Sequence, residues 1–135
     1  MNLFTYGTLM DEGIMSQVAA EILDSEKAIL HNYIRKTVRN EVYPAIIPLG
    51  NHSVDGIIYF DVSEEAVKRL DKFEGSLYTR LPVTVISLSG KKLDAYSYIL
   101  AGDAKDFLSE LDWSYEDFSE QHRDIFQETY QGYID

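Results

Sequence analysis

Cysteine is absent from this chain of 135 residues. Disulfides, thiolate catalysis and thiolate metal sites are therefore excluded. Long apolar runs are missing as well, since no stretch approaches the ~20 apolar residues that a membrane-spanning helix needs. The first residues show neither the basic nor the apolar region of a secretory signal. We therefore expect a soluble, cytoplasmic protein that does not act on membranes.

Positive charge is scarce, with 12 lysines and arginines against 23 aspartates and glutamates, a net charge of −11. Nucleic acids and anionic membrane surfaces are bound by basic surfaces, so neither is an expected partner. The same field repels an anionic small substrate, whose site would need local donors such as loop amides or an arginine. With 45% hydrophobic and 26% charged residues, the composition is that of one globular domain spanning residues 1–135. The oligomeric state is not determined by these features.

Several familiar chemical signatures are also lacking. No glycine-rich phosphate-binding motif and no GxSxG nucleophile motif occurs. The three histidines, His31, His52 and His122, share no ligand spacing, so we expect no metal site. Asp71 and Glu74 lie three apart on a predicted helix, but they point about 60° apart, which disfavours a glycosidase pair.

Alternating apolar residues predict strands over residues 2–6, 27–38, 43–48, 54–62, 78–89 and 93–100. Turns are expected at 49–52 and 90–92, the second joining an antiparallel hairpin. Gly56, inside a strand, suggests a bulge. Helices are predicted at 12–23, 63–74 and 115–131. The fold class is therefore α+β, with a mixed or closed sheet.

The C-terminal part of the chain differs in composition. Residues 103–135 hold ten acidic and two basic side chains. We interpret 115–131, which Ser114 can cap and Gly132 can end, as an amphipathic helix packed on the sheet with its acidic face in water. An acidic segment that binds a partner is the weaker alternative.

Glu74 falls on the wrong side of its helix for a charged residue. At 100° per residue it lies within the apolar face of the 63–74 helix, which is formed by Ala66, Val67, Leu70 and Phe73. A carboxylate on an apolar face is costly unless it is paired, and such groups often have raised pKa values and catalytic roles. The alternative is a glutamate at a frayed helix end that turns outward or caps a neighbour.

A second candidate is the segment Tyr6-Gly7-Thr8-Leu9, which follows the first strand. Glycine at this point allows a positive φ or the close approach of a ligand to the backbone, and successive amides can bind an anion. A simple strand-to-helix turn explains the same pattern.

Tyr6-Gly7-Thr8-Leu9 and the later run Asp71-Lys72-Phe73-Glu74-Gly75-Ser76-Leu77-Tyr78-Thr79-Arg80, in this order and spacing, resemble the gamma-glutamylcyclotransferase-like family. Tyr43-Pro44-Ala45-Ile46 and Val54-Asp55-Gly56-Ile57-Ile58-Tyr59 resemble the segments between them. The likeness spans residues 1 to about 100.

This resemblance implies a compact fold in which the mixed sheet closes into a small β-barrel with helices packed around it. It implies release of 5-oxoproline from a γ-glutamyl amine or peptide, with Glu74 as general acid/base and no metal or organic cofactor. The backbone of Tyr6, Gly7, Thr8 and Leu9 would bind the substrate. Tyr78 would position the amine or the base, and Arg80 would either contact an anionic part of the substrate or hold a loop. A non-catalytic module that binds a small ligand or a protein on the same scaffold is the alternative.

Overall fold

The computed structural model describes residues 1–121. Its five strands are β1 (Leu3–Thr5), β2 (Ser25–Thr37), β3 (Pro44–Tyr59), β4 (Tyr78–Ser87) and β5 (Lys92–Leu100). Its helices are α1 (Glu12–Ala19), α2 (Glu64–Glu74) and α3 (Tyr115–Gln121), with 3-10 turns at Thr8–Met10 and Gly102–Phe107. The predicted extension of the last helix beyond Gln121, with His122 and Gly132, lies outside the described residues. No helix within residues 1–121 is long and apolar enough to cross a membrane.

The strands form a closed barrel in the order β1-β3-β2-β4-β5. All pairs are antiparallel except β1 with β5, which is parallel and closes the ring. The expected α+β class and the small mixed barrel are both confirmed, as is the β4–β5 hairpin.

Alternation along the strands divides the core into two layers. One layer fills the barrel and includes Phe4, Leu30, Ile46 and Val85. The other lies between the barrel wall and the helices, where Leu3, the neighbour of Phe4, meets buried side chains of α1, α2 and α3. The helices therefore cover one side of the barrel, as the amphipathic pattern of α2 requires.

The turn predicted at residues 49–52 is wrong, because the chain does not reverse its direction there. β3 runs unbroken from Pro44 to Tyr59. His31 pairs with Ser53 and Tyr33 with Pro48, so a step of two residues along β2 matches a step of five along β3. Gly50 and Asn51, which suggested a chain reversal, instead lie in a bulge of β3. β2 pairs with β3 on both sides of this bulge.

Gly56 pairs regularly with Ala28, so the bulge expected at this glycine is absent. Glycine is required here for space. A Cβ atom at this position would lie 2.1 Å from the carbonyl oxygen of Thr5 and 2.7 Å from Phe4 Cζ. The barrel can therefore close around β1 only if residue 56 has no side chain.

We expect Gly56→Ala to lower the free energy of unfolding by more than about 2 kcal/mol, because a backbone atom cannot move aside for the new methyl group. Gly50→Ala is the matched control, since nothing lies within 4 Å of a Cβ there. That change should stay within about 0.5 kcal/mol. Urea denaturation of both variants makes the comparison, and equal stabilities would contradict the close-approach argument.

Candidate functional site

Glu74 is placed by the ends of α2. Ser63 caps the helix, its Oγ accepting from the Ala66 amide at 3.1 Å, as its sequence position predicted. Ala66, Val67 and Leu70 are buried against the barrel and α1. Gly75 ends the helix with a φ of 78°. Because the first turn and the apolar face are fixed, the last residue of the helix is directed to one place, a cleft beside the barrel.

The cleft measures about 320 Å³, part of it open to solvent. It lies where β1 ends, β3 and β4 begin, and β5 approaches its end. Its lining consists of one carboxylate and residues that are aromatic, small or apolar: Phe4, Thr5, Tyr6, Gly7, Thr8, Leu9, Tyr43, Pro44, Glu74, Tyr78 and Tyr98. The lining thus includes six of the seven candidate site residues from the sequence analysis, all except Arg80.

The loop after β1 forms one wall. Its 3-10 turn is closed by a hydrogen bond from the Met10 amide to the Gly7 carbonyl at 2.9 Å. Tyr59 Oη donates to the Leu9 carbonyl at 2.8 Å and fixes the far end of the turn. The amides of Thr8 and Leu9 stand at the start of this turn, where a helical backbone leaves its first N–H groups without an internal acceptor.

Gly7 is needed in this loop for close packing. Its φ is −132°, so it does not supply the positive φ that a glycine at this position allowed. Instead, a Cβ atom at Gly7 would lie 2.8 Å from Pro44 Cγ and 2.9 Å from Pro44 Cδ. The small residue lets the loop lie directly against the proline that opens β3.

Tyrosines form most of the remaining wall, and the hydroxyl protons of two of them, Tyr6 and Tyr78, are bound by backbone carbonyls. Tyr78 Oη donates to the Pro44 carbonyl at 2.7 Å. Tyr6 Oη donates to the Tyr98 carbonyl through a short hydrogen bond. Burial is the main cause of the raised pKa values of both tyrosines, and the negative charge of Glu74 adds to it. Each hydroxyl therefore keeps its proton, and the Tyr78 oxygen retains a lone pair for a ligand.

Glu74 is half-buried in this wall. Burial raises its pKa to about 8, and repulsion from Asp71 contributes in the same direction. Within residues 1–121 its carboxylate makes no hydrogen bond or ion pair. A carboxyl group in this state exchanges a proton near neutral pH and is unoccupied by other side chains, which is what a general acid/base requires.

Arg80 lies apart from the other nominated residues and does not line the cleft. Its Nε donates to Asp71 Oδ1 at 2.9 Å and its Nη2 to Asp71 Oδ2 at 3.3 Å. The guanidinium also lies 5.5 Å from the ring centre of Tyr96. The side chain of Arg80 is therefore directed to Asp71 and not into the cleft. The two roles that the sequence left open, contact with an anionic part of the substrate or holding a loop, stay predictions.

Asp71 and Tyr98 belong to the same network. Tyr98 Oη donates to Asp71 Oδ1 at 2.7 Å. Partial burial acts to raise the pKa of Asp71, but the hydrogen bonds from Arg80 and Tyr98 outweigh it and keep that pKa below its usual value. Asp71 is therefore a permanent negative charge one turn of helix away from Glu74.

Sequence reasoning missed five cleft residues: Phe4, Thr5, Tyr43, Pro44 and Tyr98. Tyr43 and Pro44 stand in a segment that carried the family resemblance, so a signal for them existed. Tyr98 sits in the alternating pattern of a strand, and only the hairpin register, which places it opposite Arg80, brings it to the cleft.

His31 and His52 do not line the cleft. His31 pairs with Ser53 Oγ and His52 with the Gly50 carbonyl, both at the surface. His122 lies outside the described residues. In the part of the chain that the structure describes, no group of three His, Asp or Glu side chains is arranged to hold a metal ion.

Comparison with known proteins places residues 3–117 within the model of the family described as gamma-glutamyl cyclotransferase, AIG2-like. The AIG2-like protein D of Arabidopsis thaliana is 30% identical over 128 residues, covering 93% of this chain and 83% of that protein. The solution structure of another A. thaliana protein matches with a TM-score of 0.74 and 25% identity, over 98% of this chain and 81% of that one. The crystal structure of an AIG2-like protein from Mus musculus matches with a TM-score of 0.68 and 24% identity over 84% of each chain, a likeness of fold alone.

The raised pKa of Glu74 has a consequence for stability. The folded protein keeps a proton on Glu74 up to about pH 8, whereas the usual pKa of this carboxyl is 4.5. Its stabilising contribution is therefore complete below about pH 4.5 and is lost as the pH rises through 8. Glu74→Gln stays neutral at every pH, so its stability relative to the native protein should rise between pH 5 and 9, by at most about 4 kcal/mol.

Urea denaturation at pH 5, 7 and 9 measures this difference. Glu65→Gln, at an exposed position of the same helix, is the control and should show no such rise. A Glu74→Gln variant whose relative stability is the same at pH 5 and pH 9 would mean that Glu74 is ionised normally in the folded protein.

Proposed function

Because the chain belongs to the gamma-glutamyl cyclotransferase, AIG2-like family, we propose that it releases 5-oxoproline from a γ-glutamyl amine or γ-glutamyl peptide. The observation that carries the proposal is the carboxyl group of Glu74, with a pKa near 8, facing a cleft bounded by the loop Tyr6–Leu9. The family name supports the reaction class, and the cleft offers the groups that this reaction needs.

In the proposed reaction the substrate supplies its own nucleophile. The α-amine attacks the γ-carbonyl carbon, a C–N bond forms within a five-membered ring, and the bond to the leaving amine breaks. Attack within one molecule has a large effective concentration, so the protein has little positioning of separate reactants to do. The obstacle is protonation, since an α-amine with a pKa near ~7.7–8.0 is mostly an unreactive ammonium at neutral pH.

Glu74 removes this obstacle in our proposal. Its carboxylate takes a proton from the α-ammonium and then gives a proton to the departing amine nitrogen. A base with a pKa near 8 is close to the pKa of the amine, so the proton can move in both directions at little cost. Tyr78 assists by accepting a hydrogen bond from the ammonium, because its own proton is held by the Pro44 carbonyl.

The loop supplies the electrostatic part. Attack on the γ-carbonyl makes an oxyanion, and the substrate carries an α-carboxylate, both disfavoured by a protein of net charge −11. We assign the backbone amides of Gly7, Thr8 and Leu9 to one of these anionic groups. Backbone donors that are fixed before the reaction stabilise developing charge without reorganisation.

A non-catalytic binding module on the same scaffold is the second candidate function, because a shared fold does not guarantee shared chemistry. The unpaired state of Glu74 favours the enzyme. A carboxylate held in a half-buried cleft costs stability, and simple ligand binding does not require an acid/base with a pKa near neutrality.

The direct test is 5-oxoproline release from a panel of γ-glutamyl amines and dipeptides. We expect the native protein to turn over at least one member and Glu74→Gln to lose about 10²-fold or more in kcat, the usual contribution of a general acid/base. Glu65→Gln should keep native activity. A folded native protein that turns over no panel member would favour the binding module, and full activity in Glu74→Gln would show that another group is the base.

The pH dependence separates Glu74 from the substrate amine, which titrates in the same range. We expect kcat/KM to rise with pH as Glu74 loses its proton near pH 8, and to fall again as the free substrate loses the ammonium proton that Glu74 takes. Asp71→Asn removes the negative charge that raises the pKa of Glu74, so the rise should move to lower pH. The substrate amine is the same in both assays and cannot cause that movement.

Asp103→Asn, an exposed position in a 3-10 turn, removes the same charge at the surface and should leave the profile unchanged. An identical profile for native protein and Asp71→Asn would show that the substrate amine, not Glu74, controls the rise.

A further inference from the structure

Arg35 is a half-buried cation that touches the back of the cleft loop without lining the cleft. It belongs to β2, and its side chain is 15% exposed. Nη1 donates to the carbonyl oxygen of Tyr6 at 2.8 Å. That carbonyl belongs to the peptide that joins Tyr6 to Gly7, and both of these residues form the cleft wall. The guanidinium is therefore one peptide away from the site.

The guanidinium is held on two further sides. Nη1 also donates to the Asp55 carbonyl, and Nη2 donates to Asp55 Oδ1, each at 3.0 Å. Its central carbon lies 5.4 Å from the ring centre of Trp113, a cation–π distance. Trp113 itself is anchored by donation from its Nε1 to the Val42 carbonyl at 2.8 Å. With these contacts Arg35 has a fixed position from which to act on Tyr6.

Peptide geometry converts that contact into an orientation of Gly7. No peptide bond in residues 1–121 is cis, and in a planar trans peptide the carbonyl and the following N–H point in opposite directions. Arg35 holds the Tyr6 carbonyl away from the cleft, so the N–H of Gly7 points the other way. Within residues 1–121 the Gly7 N–H has no hydrogen-bond acceptor.

We propose that Arg35 is a positioning residue, which binds the Tyr6 carbonyl and thereby holds the Gly7 N–H toward the cleft as an anion donor. The inference deepens the proposed function and rests on it, because the anion would be the carboxylate or oxyanion of the γ-glutamyl substrate. The positive charge behind the peptide also strengthens the donor, since it withdraws electrons through the carbonyl that it binds. The Arg35 guanidinium thus acts on the Gly7 N–H from outside the cleft and leaves the cleft itself free for the substrate.

The test observes the one peptide concerned. Tyr6-Gly7 is the only Tyr-Gly pair in the chain. Protein labelled with carbonyl-13C tyrosine and 15N glycine therefore gives a single carbonyl-coupled amide signal, which comes from this peptide. The probe is 5-oxoproline, the product of the proposed reaction, whose carboxylate can accept from the Gly7 amide.

The variants are Arg35→Met, which removes the guanidinium, and Arg35→Lys, which keeps the charge. Lys36→Met is the matched control. Lys36 is the next residue of β2, and its ammonium pairs with Asp112, the neighbour of Trp113. Lys36→Met therefore removes one positive charge and one contact with the same segment, but leaves the hydrogen bond to the Tyr6 carbonyl in place.

In the native protein and in Lys36→Met we expect the Tyr6-Gly7 signal to shift on addition of 5-oxoproline. In Arg35→Met the free signal should already differ, and the affinity for 5-oxoproline should fall about tenfold, as for loss of one charge-assisted hydrogen bond. Arg35→Lys should recover part of that loss. With any substrate that is turned over, kcat/KM should be highest for the native protein and Lys36→Met, lower for Arg35→Lys and lowest for Arg35→Met. Arg35→Lys and Lys36→Met should have the same thermal stability, so a difference in kcat/KM between them is not caused by unfolding.

Three results would overturn the inference: a Tyr6-Gly7 signal that is unchanged in both Arg35 variants, equal losses in Arg35→Lys and Lys36→Met, or a native Gly7 amide that does not respond to 5-oxoproline. If Arg35→Met does not fold, the comparison of Arg35→Lys with Lys36→Met decides the question. Failure of the proposed function has a different signature, which is absence of 5-oxoproline release by a native protein whose Tyr6-Gly7 signal still depends on Arg35.

Discussion

The burial of one face of α2 determines where the carboxyl group of Glu74 lies. Ala66, Val67 and Leu70 leave water only by packing on the barrel and on α1. Once that face is buried, the helix cannot rotate, and the carboxyl group of its last residue is held at the cleft. The free energy gained by burying this apolar face is thus large enough to hold the Glu74 carboxyl group in a position that disfavours its charged form. The raised pKa of Glu74 results mainly from this burial.

Around this carboxylate, the protein uses its backbone to control polar side chains. The hydroxyls of Tyr6, Tyr59 and Tyr78 all donate to backbone carbonyls, which fixes both the rings and the loops that they contact. The charged side chains of Arg80 and Arg35 lie outside the cleft and contact residues in or next to its lining. Arg80 forms an ion pair with Asp71 of α2, and Arg35 binds a carbonyl behind the loop after β1. The cleft itself therefore contains a single ionisable carboxylate among neutral groups, an arrangement in which that carboxylate responds strongly to its surroundings.

Local features of the chain were predictable because their causes are local. The cap at Ser63, the helix end at Gly75 and the hairpin between β4 and β5 all follow from residues that are close in sequence. The family resemblance, based on two short motifs, is confirmed by the match of residues 3–117 to the family model. The inward direction of Glu74 followed from helical periodicity alone.

What could not be predicted depends on pairing between distant segments. The bulge at residues 49–52 suggests a chain reversal until β2 is known to pair on both sides of it. Gly56 suggests a bulge until Thr5 is placed against it. Arg80 sits in the right motif but turns to Asp71, because the hairpin register directs it there. Arg35 gave no signal in the sequence, since its hydrogen bonds go to residues 29 and 20 positions away.

The short first strand can join the barrel only after segments that lie far along the chain have folded. β1 has three residues, yet it closes the ring through partners far along the chain. Thr5 is bonded to Ile57, 52 residues away, and Phe4 accepts from Ser97, 93 residues away. Contacts of such long range are formed late and slowly, because loop-closure entropy opposes them until the rest of the sheet exists. We therefore expect the loop after β1 to take its shape only when the whole barrel is complete, so that a partly folded chain has no cleft.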